Sequence, residues 1–266
     1  MKKLEKLLNS YQKLDITPSI EDEKRLLYNY VYWSTKLEGN RLTLSQTIQL
    51  LSSDSISGNN IRVFDVLEQK GMYKALVLML NSVQKKSKLS VELILKFNWA
   101  ALSYLWNYDD AYIGAKNIGQ LINDFKCSQN VIQINKGGQF LEDIIPLSTP
   151  KNVNENMNSL IDSINSSPKS ILEKVAYLAQ ELWLHQPFVD GNKRTERLLI
   201  NFLLMKEGYP LFVFDDDYNS IMIEQYYKGT PDLLKNYIEK KLSIQMKASI
   251  DKEKNIKPNT GFRMIL

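Results

Sequence analysis

The chain has 266 residues, of which 44% are hydrophobic and 24% are charged, and its formal net charge is +4. This length suits one large domain, or one domain with a small appendage. The weak positive charge is not concentrated in a dense Lys/Arg stripe, which argues against a nucleic-acid partner. Cys127 is the single cysteine, so an internal disulfide and a cysteine-based zinc cluster are excluded.

The N-terminal segment begins with basic residues and lacks the long apolar run of a signal peptide. Leu4, Leu7, Leu8 and Tyr11 share one face at helical spacing, so we interpret the segment as an amphipathic helix. No stretch approaches the length of a membrane-spanning helix. The single cysteine fits a reducing compartment, and we therefore expect a cytoplasmic protein without a membrane partner.

Helical periodicity dominates the rest of the chain. Thr43 and Gln46 have the spacing of a capping box, which opens a short helix after Thr43. Ser90 is the predicted N-cap of a later helix. Apolar residues at helical spacing predict helices at residues 21–35, 44–52, 61–83, 90–105, 154–165, 168–184, 193–207, 219–228 and 231–247.

The middle of the chain, residues 109–150, has weak helical signals. Residues 131–135, from Val131 to Asn135, resemble a β-strand and are followed by Gly137 and Gly138. This pattern indicates a hairpin or flap. The sequence therefore predicts an all-α domain over residues 1–250 with a small inserted β element, and a charged, loosely held tail over residues 251–266.

Residues 190–197, Asp-Gly-Asn-Lys-Arg-Thr-Glu-Arg, have the pattern of a turn that leads into a helix. Asp190, Gly191 and Asn192 are turn formers, and the amides at a helix start favour an anion. Arg194 and Arg197 can share a helical face and offer forked donors to phosphate oxygens. Asp190 could hold Mg²⁺ beside those phosphates. The pattern is typical of a Mg²⁺–polyphosphate site, and a plain capped turn with solvated charges is the alternative.

Together with the residues before it, this stretch resembles the signature loop of the Fic (Fido) family, H-P-F-x-[D/E]-G-N-[G/K]-R-x-x-R. The resemblance implies a helical core with a β-hairpin flap, and it covers most of residues 31–242. It also implies a reaction that transfers AMP from ATP to a hydroxyl of a protein side chain. The matching positions are Pro187, Phe188, Asp190, Gly191, Asn192, Lys193, Arg194 and Arg197.

The resemblance also implies roles for individual residues. The loop amides from Gly191 to Arg194 and the side chain of Asn192 would hold the α- and β-phosphates of ATP. Asp190 would bind Mg²⁺, and Arg197 would meet the γ-phosphate. The flap at residues 131–135 would align a segment of the target protein.

A second match lies upstream, where Ser34-Thr-Lys-Leu-Glu38-Gly39-Asn40 resembles the family's inhibitory motif, [S/T]-x-x-x-E-[G/N]. A pair between Glu38 and Arg197 would take the arginine away from the γ-phosphate, and a bidentate ion pair is strong enough to compete. The short pattern alone also fits a surface carboxylate before a Gly-Asn turn. In combination with the loop, it predicts an inhibitory role for Ser34, Glu38 and Gly39.

The sequence departs from the family pattern at one position. The family's catalytic histidine immediately precedes Pro-Phe, and this chain has Gln186 there. A glutamine amide cannot take up a proton at neutral pH, and loss of a general base typically lowers the rate by about 10²- to 10⁴-fold. His185 lies one residue earlier, where a one-residue shift aims its side chain away from the nucleotide. Only a local bulge would let His185 substitute as the base.

Lys193 occupies a position that is glycine in many AMP-transferring relatives. Gly-Asn-Lys-Arg occurs in relatives such as the Doc toxins, which transfer a phosphate, so the transferred group stays open. Two hypotheses follow from the sequence. The chain is an adenylyltransferase that Glu38 inhibits, or it is a catalytically weak ATP-binding module that acts in regulation or interaction. A target protein would dock at the flap, and a homodimer is kept open.

Overall fold

The computed structural model describes residues 2–13, 19–108, 110–136 and 139–256. These described residues form eleven α-helices and one two-stranded sheet, which confirms the predicted all-α fold with a small hairpin. No helix in these ranges is both long and apolar enough to cross a membrane. The elements are α1 (Lys2–Lys13), α2 (Ile20–Lys36), α3 (Leu44–Ser53), α4 (Val63–Gln84), α5 (Val91–Leu102), α6 (Asp110–Asn117), β1 (Ile132–Lys136), β2 (Gln139–Ile144), α7 (Val153–Ser166), α8 (Ile171–His185), α9 (Asn192–Lys206), α10 (Asp217–Lys228) and α11 (Asp232–Ile256).

Several helices begin with side-chain caps whose residues can be identified in the sequence. The Thr43 hydroxyl accepts a hydrogen bond from the Gln46 backbone amide, and the Gln46 side chain accepts one from the Thr43 amide. The predicted capping box of α3 is therefore confirmed. Ser170 and Glu173 form a second capping box at the start of α8. Each cap contributes about 1 kcal/mol to helix stability, so these two helix starts are fixed locally.

Helix α9 lies at the centre of the molecule. Every residue from Arg194 to Leu204 is buried, and the helix packs against α2, α4, α5 and α8. A helix that is surrounded on all sides shows little one-sided hydrophobic pattern. Helix α9 begins at Asn192, so the turn at residues 190–191 leads directly into this central helix.

The two strands form an antiparallel hairpin that lies before α7. Ile132 and Ile134 are buried, and Gln133 and Asn135 alternate with them on the exposed side. A β-bulge changes the register between Ile134 and Asn135. The predicted strand at residues 131–135 is confirmed as β1, one residue further along. The two glycines predicted for the turn, at 137 and 138, lie outside the described residues.

The largest differences from the predicted elements are two helix ends and one additional helix. The helix predicted over 90–105 ends at Leu102, because residues 103–108 form turns. Helix α6 was not predicted, since its eight residues carry too short a periodic pattern. The helix predicted to end at residue 247 continues to Ile256, so the start of the expected loose tail is helical. Ile250 is buried and Lys252 pairs with Asp22, and both contacts extend α11.

Gly71 marks a close approach between α4 and α5. A Cβ at this position would lie 2.2 Å from the carbonyl oxygen of Ala101. We expect Gly71→Ala to lower the free energy of unfolding by roughly 1–3 kcal/mol, because the two helices must separate. Urea unfolding followed by circular dichroism measures the loss. Gly114→Ala is the matched control, since a Cβ there meets no atom within 4 Å. Equal losses in both variants would contradict the packing explanation.

Candidate functional site

The candidate site forms at the turn between α8 and α9. Gly191 is the N-cap of α9 and has φ 75°, a left-handed conformation that favours glycine. A Cβ there would lie 2.8 Å from the side-chain nitrogen of Asn98. Asn98 donates hydrogen bonds to the Asp190 carbonyl at 2.9 Å and to the Thr195 hydroxyl at 3.1 Å. The close approach of Asn98 therefore requires glycine and fixes the turn from α5.

The Asn192 side chain closes the loop in this structure. Its amide oxygen accepts from the Phe188 backbone amide at 2.9 Å, and its nitrogen donates to the Phe188 carbonyl at 2.8 Å. Gly191 supplies no side-chain cap to α9, so the first amides of the helix lack intrahelical partners. Those amides and the helix dipole make the start of α9 attractive to an anion.

Asp190 is an ionised carboxylate at the edge of the site. Its Oδ2 accepts hydrogen bonds from Arg194 at 2.8 Å and from the Tyr112 hydroxyl, and its Oδ1 accepts from the Gly191 amide. Burial alone would raise the pKa of Asp190, but the Arg194 charge and the hydrogen bonds hold that pKa below its ordinary value. The side chain is 41% exposed, so it remains accessible to a cation.

Arg194 holds the loop from inside the core. The side chain is 4% exposed and bridges two carboxylates, Asp190 and Glu68, with N–O distances of 2.8 Å each. Glu68, from α4, also accepts a hydrogen bond from Asn40 at 2.7 Å. The sequence predicted that the Arg194 fork would face phosphate oxygens. In this structure the fork is engaged by carboxylates, and only the Arg194 amide belongs to the free start of α9.

Arg197 is fully buried and is held by the segment that ends α2. Its Nη2 donates to Glu38 Oε1 at 2.7 Å and to the Ser34 carbonyl at 2.6 Å, and its Nε donates to the Ser34 hydroxyl at 3.1 Å. The Tyr218 ring lies 5.8 Å from the guanidinium carbon. Within the described residues, Nη1 of Arg197 has no hydrogen-bond partner. The sequence-predicted contact between Glu38 and Arg197 is thus present, with one donor left unused.

Glu38 follows Leu37, the C-cap of α2, and precedes Gly39, which has φ 92°. Burial alone would raise the pKa of Glu38, but the charges of Arg197, Lys193 and Arg194 hold that pKa below its ordinary value. The carboxylate is therefore charged at neutral pH, and its contact with Arg197 is a true ion pair.

Gln186 and His185 end α8 with their side chains turned in different directions. Gln186 is the left-handed C-cap, with φ 43°, and its side-chain nitrogen donates to the Trp183 carbonyl at 2.7 Å. The His185 Nδ1 lies 2.6 Å from the Ser148 hydroxyl, and its Nε2 lies 3.5 Å from Glu181. Ser148 accepts from Asn156, so its own hydrogen is free for Nδ1. The imidazole therefore links the end of α8 to the segment before α7 by a hydrogen bond.

Lys126 supports the same turn from the segment before the hairpin. Its buried ammonium donates to the His185 carbonyl at 3.2 Å and to the Asn130 side chain at 2.8 Å. Asn130 in turn donates to the Phe188 carbonyl at 3.0 Å. Burial lowers the pKa of Lys126 to about 8. A cation at a helix C-terminus stabilises the last carbonyls, so Lys126 holds the turn that carries Gln186.

A cavity of about 200 Å³ lies beside the loop, between β1, α8, α9 and α10. Lys193 belongs to the first turn of α9 and lines this cavity, so the cavity adjoins the anion-attracting amides. Sequence reasoning assigned no role to the cavity, because its residues come from four separate elements. Its lining includes Asn135, Trp183, Lys193, Glu196, Tyr218 and Asn219.

Glu196 is the unusual member of this lining. It is 1% exposed and accepts a hydrogen bond from the Tyr218 hydroxyl. Burial raises the pKa of Glu196 from an ordinary 4.5 to about 8, against the opposing charges of Arg197 and Lys193. At neutral pH this side chain is therefore a neutral acid with one hydrogen to donate.

Comparisons with known proteins agree with this fold and loop. Residues 120–204 match the Fic/DOC family, so the chain carries a domain of that family. The structure resembles a Fic-domain signalling protein of Bacteroides thetaiotaomicron with a TM-score of 0.75 and 25% identity, over 95% of this chain and 98% of the other. It also resembles residues 134–508 of Caenorhabditis elegans Fic-1, with a TM-score of 0.72 and 22% identity, over 94% and 70% of the two chains.

Two curated relatives are named protein adenylyltransferases. The Caenorhabditis elegans protein is 30% identical over 187 residues, which are 68% of this chain and 32% of the relative. The Drosophila willistoni protein is 30% identical over 192 residues, which are 71% of this chain and 34% of the relative. This chain therefore spans about a third of the length of these relatives.

The raised pKa of Glu196 predicts how the free energy of unfolding depends on pH. Between about pH 4.5 and about pH 8 this carboxyl is protonated in the folded chain and ionised in the unfolded chain, so unfolding releases a proton. The contribution of Glu196 to the free energy of unfolding is therefore greatest below this window, falls as pH rises through it, and is constant above it. We expect Glu196→Gln to gain stability relative to the wild type over the same window.

Urea unfolding at a series of pH values measures this difference. Glu155→Gln is the control, because Glu155 is exposed on α7. A constant difference between the wild type and Glu196→Gln across the window would show that Glu196 ionises normally in the folded chain.

Proposed function

We propose that the chain is a Fic-type protein adenylyltransferase module, which transfers AMP from ATP to a hydroxyl of a protein side chain. One observation carries the proposal: the uncapped start of α9 lies between the Asp190 carboxylate, just before the helix, and the buried Arg197, in its second turn. The names of the curated relatives support the reaction type.

The phosphates of ATP are the ligand that this turn suits. The amides of residues 192–194 would bind the α- and β-phosphate oxygens, with the dipole of α9 behind them. Nη1 of Arg197 has no partner within the described residues, and an unsatisfied buried donor is costly. A γ-phosphate oxygen would satisfy that donor once Arg197 is freed from Glu38.

Asp190 would hold Mg²⁺ beside these phosphates. The site suits this ion, because the carboxylate is ionised and partly exposed, and Mg²⁺ takes one or two carboxylates together with phosphate and water. The described residues contain no group of three or more His, Cys, Asp or Glu side chains that could hold a metal alone. When bound, Mg²⁺ would neutralise charge on the phosphates.

In AMP transfer, the target hydroxyl attacks the α-phosphorus, and the bond to the β-phosphate breaks to release pyrophosphate. The loop orients the triphosphate for this attack. Gln186 would occupy the position of the general base, and its amide can accept a hydrogen bond from the target hydroxyl but cannot keep the proton, which must pass to solvent. We therefore propose slow transfer, with the target positioned by the flap at residues 131–135.

The contact between Glu38 and Arg197 supports an inhibitory role for the segment at the end of α2. Three hydrogen bonds from Arg197 go to Ser34 and Glu38. While these bonds persist, the guanidinium is unavailable to a γ-phosphate. The negative charge of the Glu38 carboxylate would also repel the γ-phosphate. Gly39 permits the sharp turn that brings the carboxylate back towards α9.

The second candidate function is a regulatory or interaction module that binds ATP without efficient transfer. The geometry of Gln186 and His185 favours it, because neither side chain presents a base to the loop: the Gln186 amide bonds to Trp183 and the imidazole to Ser148. A cytoplasmic location is a further proposal, because the single cysteine fits a reducing compartment, and a homodimer is kept open.

Removal of the Glu38 carboxylate should strengthen ATP binding. We expect Glu38→Gly to lower the Kd for ATP with Mg²⁺ roughly tenfold, which corresponds to about 1.4 kcal/mol, because Arg197 becomes free for the γ-phosphate. Isothermal titration calorimetry measures the change. Affinity for ADP should change little, since ADP lacks the γ-phosphate.

Lys36→Gly is the matched control for this substitution. It also places glycine near the end of α2, but the hydrogen bonds of Arg197 go to Ser34 and Glu38 and not to Lys36. If Lys36→Gly strengthens ATP binding equally, loosening of α2 explains the effect. If Glu38→Gly leaves ATP affinity unchanged, the inhibitory role is wrong.

Restoring a histidine at residue 186 should restore the base. We expect Gln186→His to raise transfer of label from α-phosphate-labelled ATP to protein by about 10²-fold or more in a Glu38→Gly background. Label is followed on the chain itself and on a mixture of cytosolic proteins. Strong transfer without the histidine would rule out the module hypothesis, and no transfer with it would rule out the enzyme.

Two further variants complete this experiment. Asp190→Ala in the same background should abolish label, because it removes the proposed Mg²⁺ ligand. His185→Asn, in a chain that keeps Gln186, tests whether His185 acts as the substitute base. Loss of residual label in His185→Asn would assign that role to His185.

A further inference from the structure

The cavity beside Lys193 has the size and walls of a pocket for one nucleobase. Its volume of about 200 Å³ is below the roughly 300–1,000 Å³ of pockets that enclose a whole drug-sized ligand. Trp183 and Tyr218 provide aromatic surface on which a base can stack. Lys193 joins this cavity to the start of α9, so a nucleotide with phosphates at α9 could place its base here.

We propose that Glu196 selects the nucleobase in this pocket through a hydrogen bond between its carboxyl group and the ring, and that this bond favours adenine over guanine. This inference rests on the proposed function, because it requires a nucleotide whose phosphates lie at the start of α9.

The hydrogen-bond pattern of Glu196 leads to this preference. Tyr218 donates to Oε1 of Glu196, which leaves the other carboxyl oxygen for a ligand. In the neutral acid that oxygen carries the hydrogen and donates it. Adenine N1 is an acceptor and pairs with such a donor. Guanine N1 carries a hydrogen of its own, so two donors would face each other and one buried donor would lose its partner.

Ionisation of Glu196 reverses the pattern. A carboxylate only accepts, so it would pair with the N1–H and amino group of guanine and lose its bond to adenine N1. The groups that bear on this ionisation are Lys193 and Arg197 on α9, Glu38 after α2, and the Tyr218 hydroxyl on α10. The polar neighbours on β1, Gln133 and Asn135, are uncharged. Nucleobase preference should therefore change when the Glu196 carboxyl titrates.

The test compares affinities for ADP and GDP, measured by calorimetry on the full chain. Diphosphates are used because they lack the γ-phosphate and leave the ion pair between Glu38 and Arg197 undisturbed. The variants are the wild type, Glu196→Gln and Glu196→Leu, each at about pH 7 and about pH 9, on either side of the titration of Glu196. The Gln amide can accept from Tyr218 and donate into the pocket at both pH values. It is therefore the matched mimic of the neutral acid.

For the wild type we expect ADP to bind about tenfold more tightly than GDP at the lower pH, and this preference to shrink or invert at the higher pH. Glu196→Gln should keep the preference at both pH values, and Glu196→Leu should lose it at both. Because the readout is a ratio of two affinities, a general loss of stability in one variant does not imitate the result.

The outcomes separate this inference from the proposed function. If neither ADP nor GDP binds, both are wrong. If ADP binds and the ratio is the same in the wild type, Glu196→Gln and Glu196→Leu, the proposed nucleotide site stands and Glu196 does not select the base. A wild-type ratio that does not change between the two pH values would also overturn the role of Glu196, even if the leucine variant fails to fold.

Discussion

The structure depends on the burial of two arginine side chains in the first turns of a central helix. Arg194 and Arg197 are almost completely enclosed, and an uncompensated buried charge costs several kcal/mol. Each guanidinium must therefore be met by carboxylates and carbonyls from other parts of the chain. Arg197 is met by Glu38 and Ser34, and Arg194 by Asp190 and Glu68. These pairings tie α2, α4 and the loop before α9 to one point.

This requirement links the parts of the proposed site. The turn after α2 reaches Arg197 through Glu38, and it reaches Arg194 through Asn40 and Glu68. Under the proposed function, a ligand that draws Arg197 away from Glu38 would leave a partly buried carboxylate without its partner. Ligand binding and the position of this turn would then be coupled through one ion pair. Residues 120–204 match the Fic/DOC family, and the Caenorhabditis elegans relative is named a protein adenylyltransferase. The further pairing of Glu196 with Tyr218 extends the buried polar network into the neighbouring pocket.

Several features of the fold and site could be read from local sequence, because their physics is local. The capping box at Thr43 involves residues within one turn. The left-handed position at Gly191 and the free amides after it follow from a turn-forming stretch before an apolar helix. The assignment of Gln186 to the position of the motif's histidine stays a prediction, which rests on the spacing to Pro187. The pairing of Glu38 with Arg197 was predictable through the family resemblance alone, since 158 residues lie between them in sequence.

Other features had no local signal. Asn98, Glu68 and Tyr112 are single polar residues in segments that otherwise predict packing or turns, and their partners lie on α9 or in the turn before it. A polar side chain on an otherwise apolar helix face would have been a useful signal. Such a side chain is buried, and a buried polar group requires a hydrogen-bond partner. Such a signal indicates that a partner exists but does not identify it.

The sequence by itself determined the helical class and the hairpin, and it predicted an anion-attracting start of α9 and Gln186 at the position where the family motif has histidine. The tertiary structure decided that the Arg194 fork faces carboxylates, that the His185 ring faces Ser148, and that Glu196 is a neutral acid in a pocket. The reason is physical. Helix caps and periodicity act within a few residues, whereas the protonation state and direction of a buried polar group depend on which distant atoms enclose it.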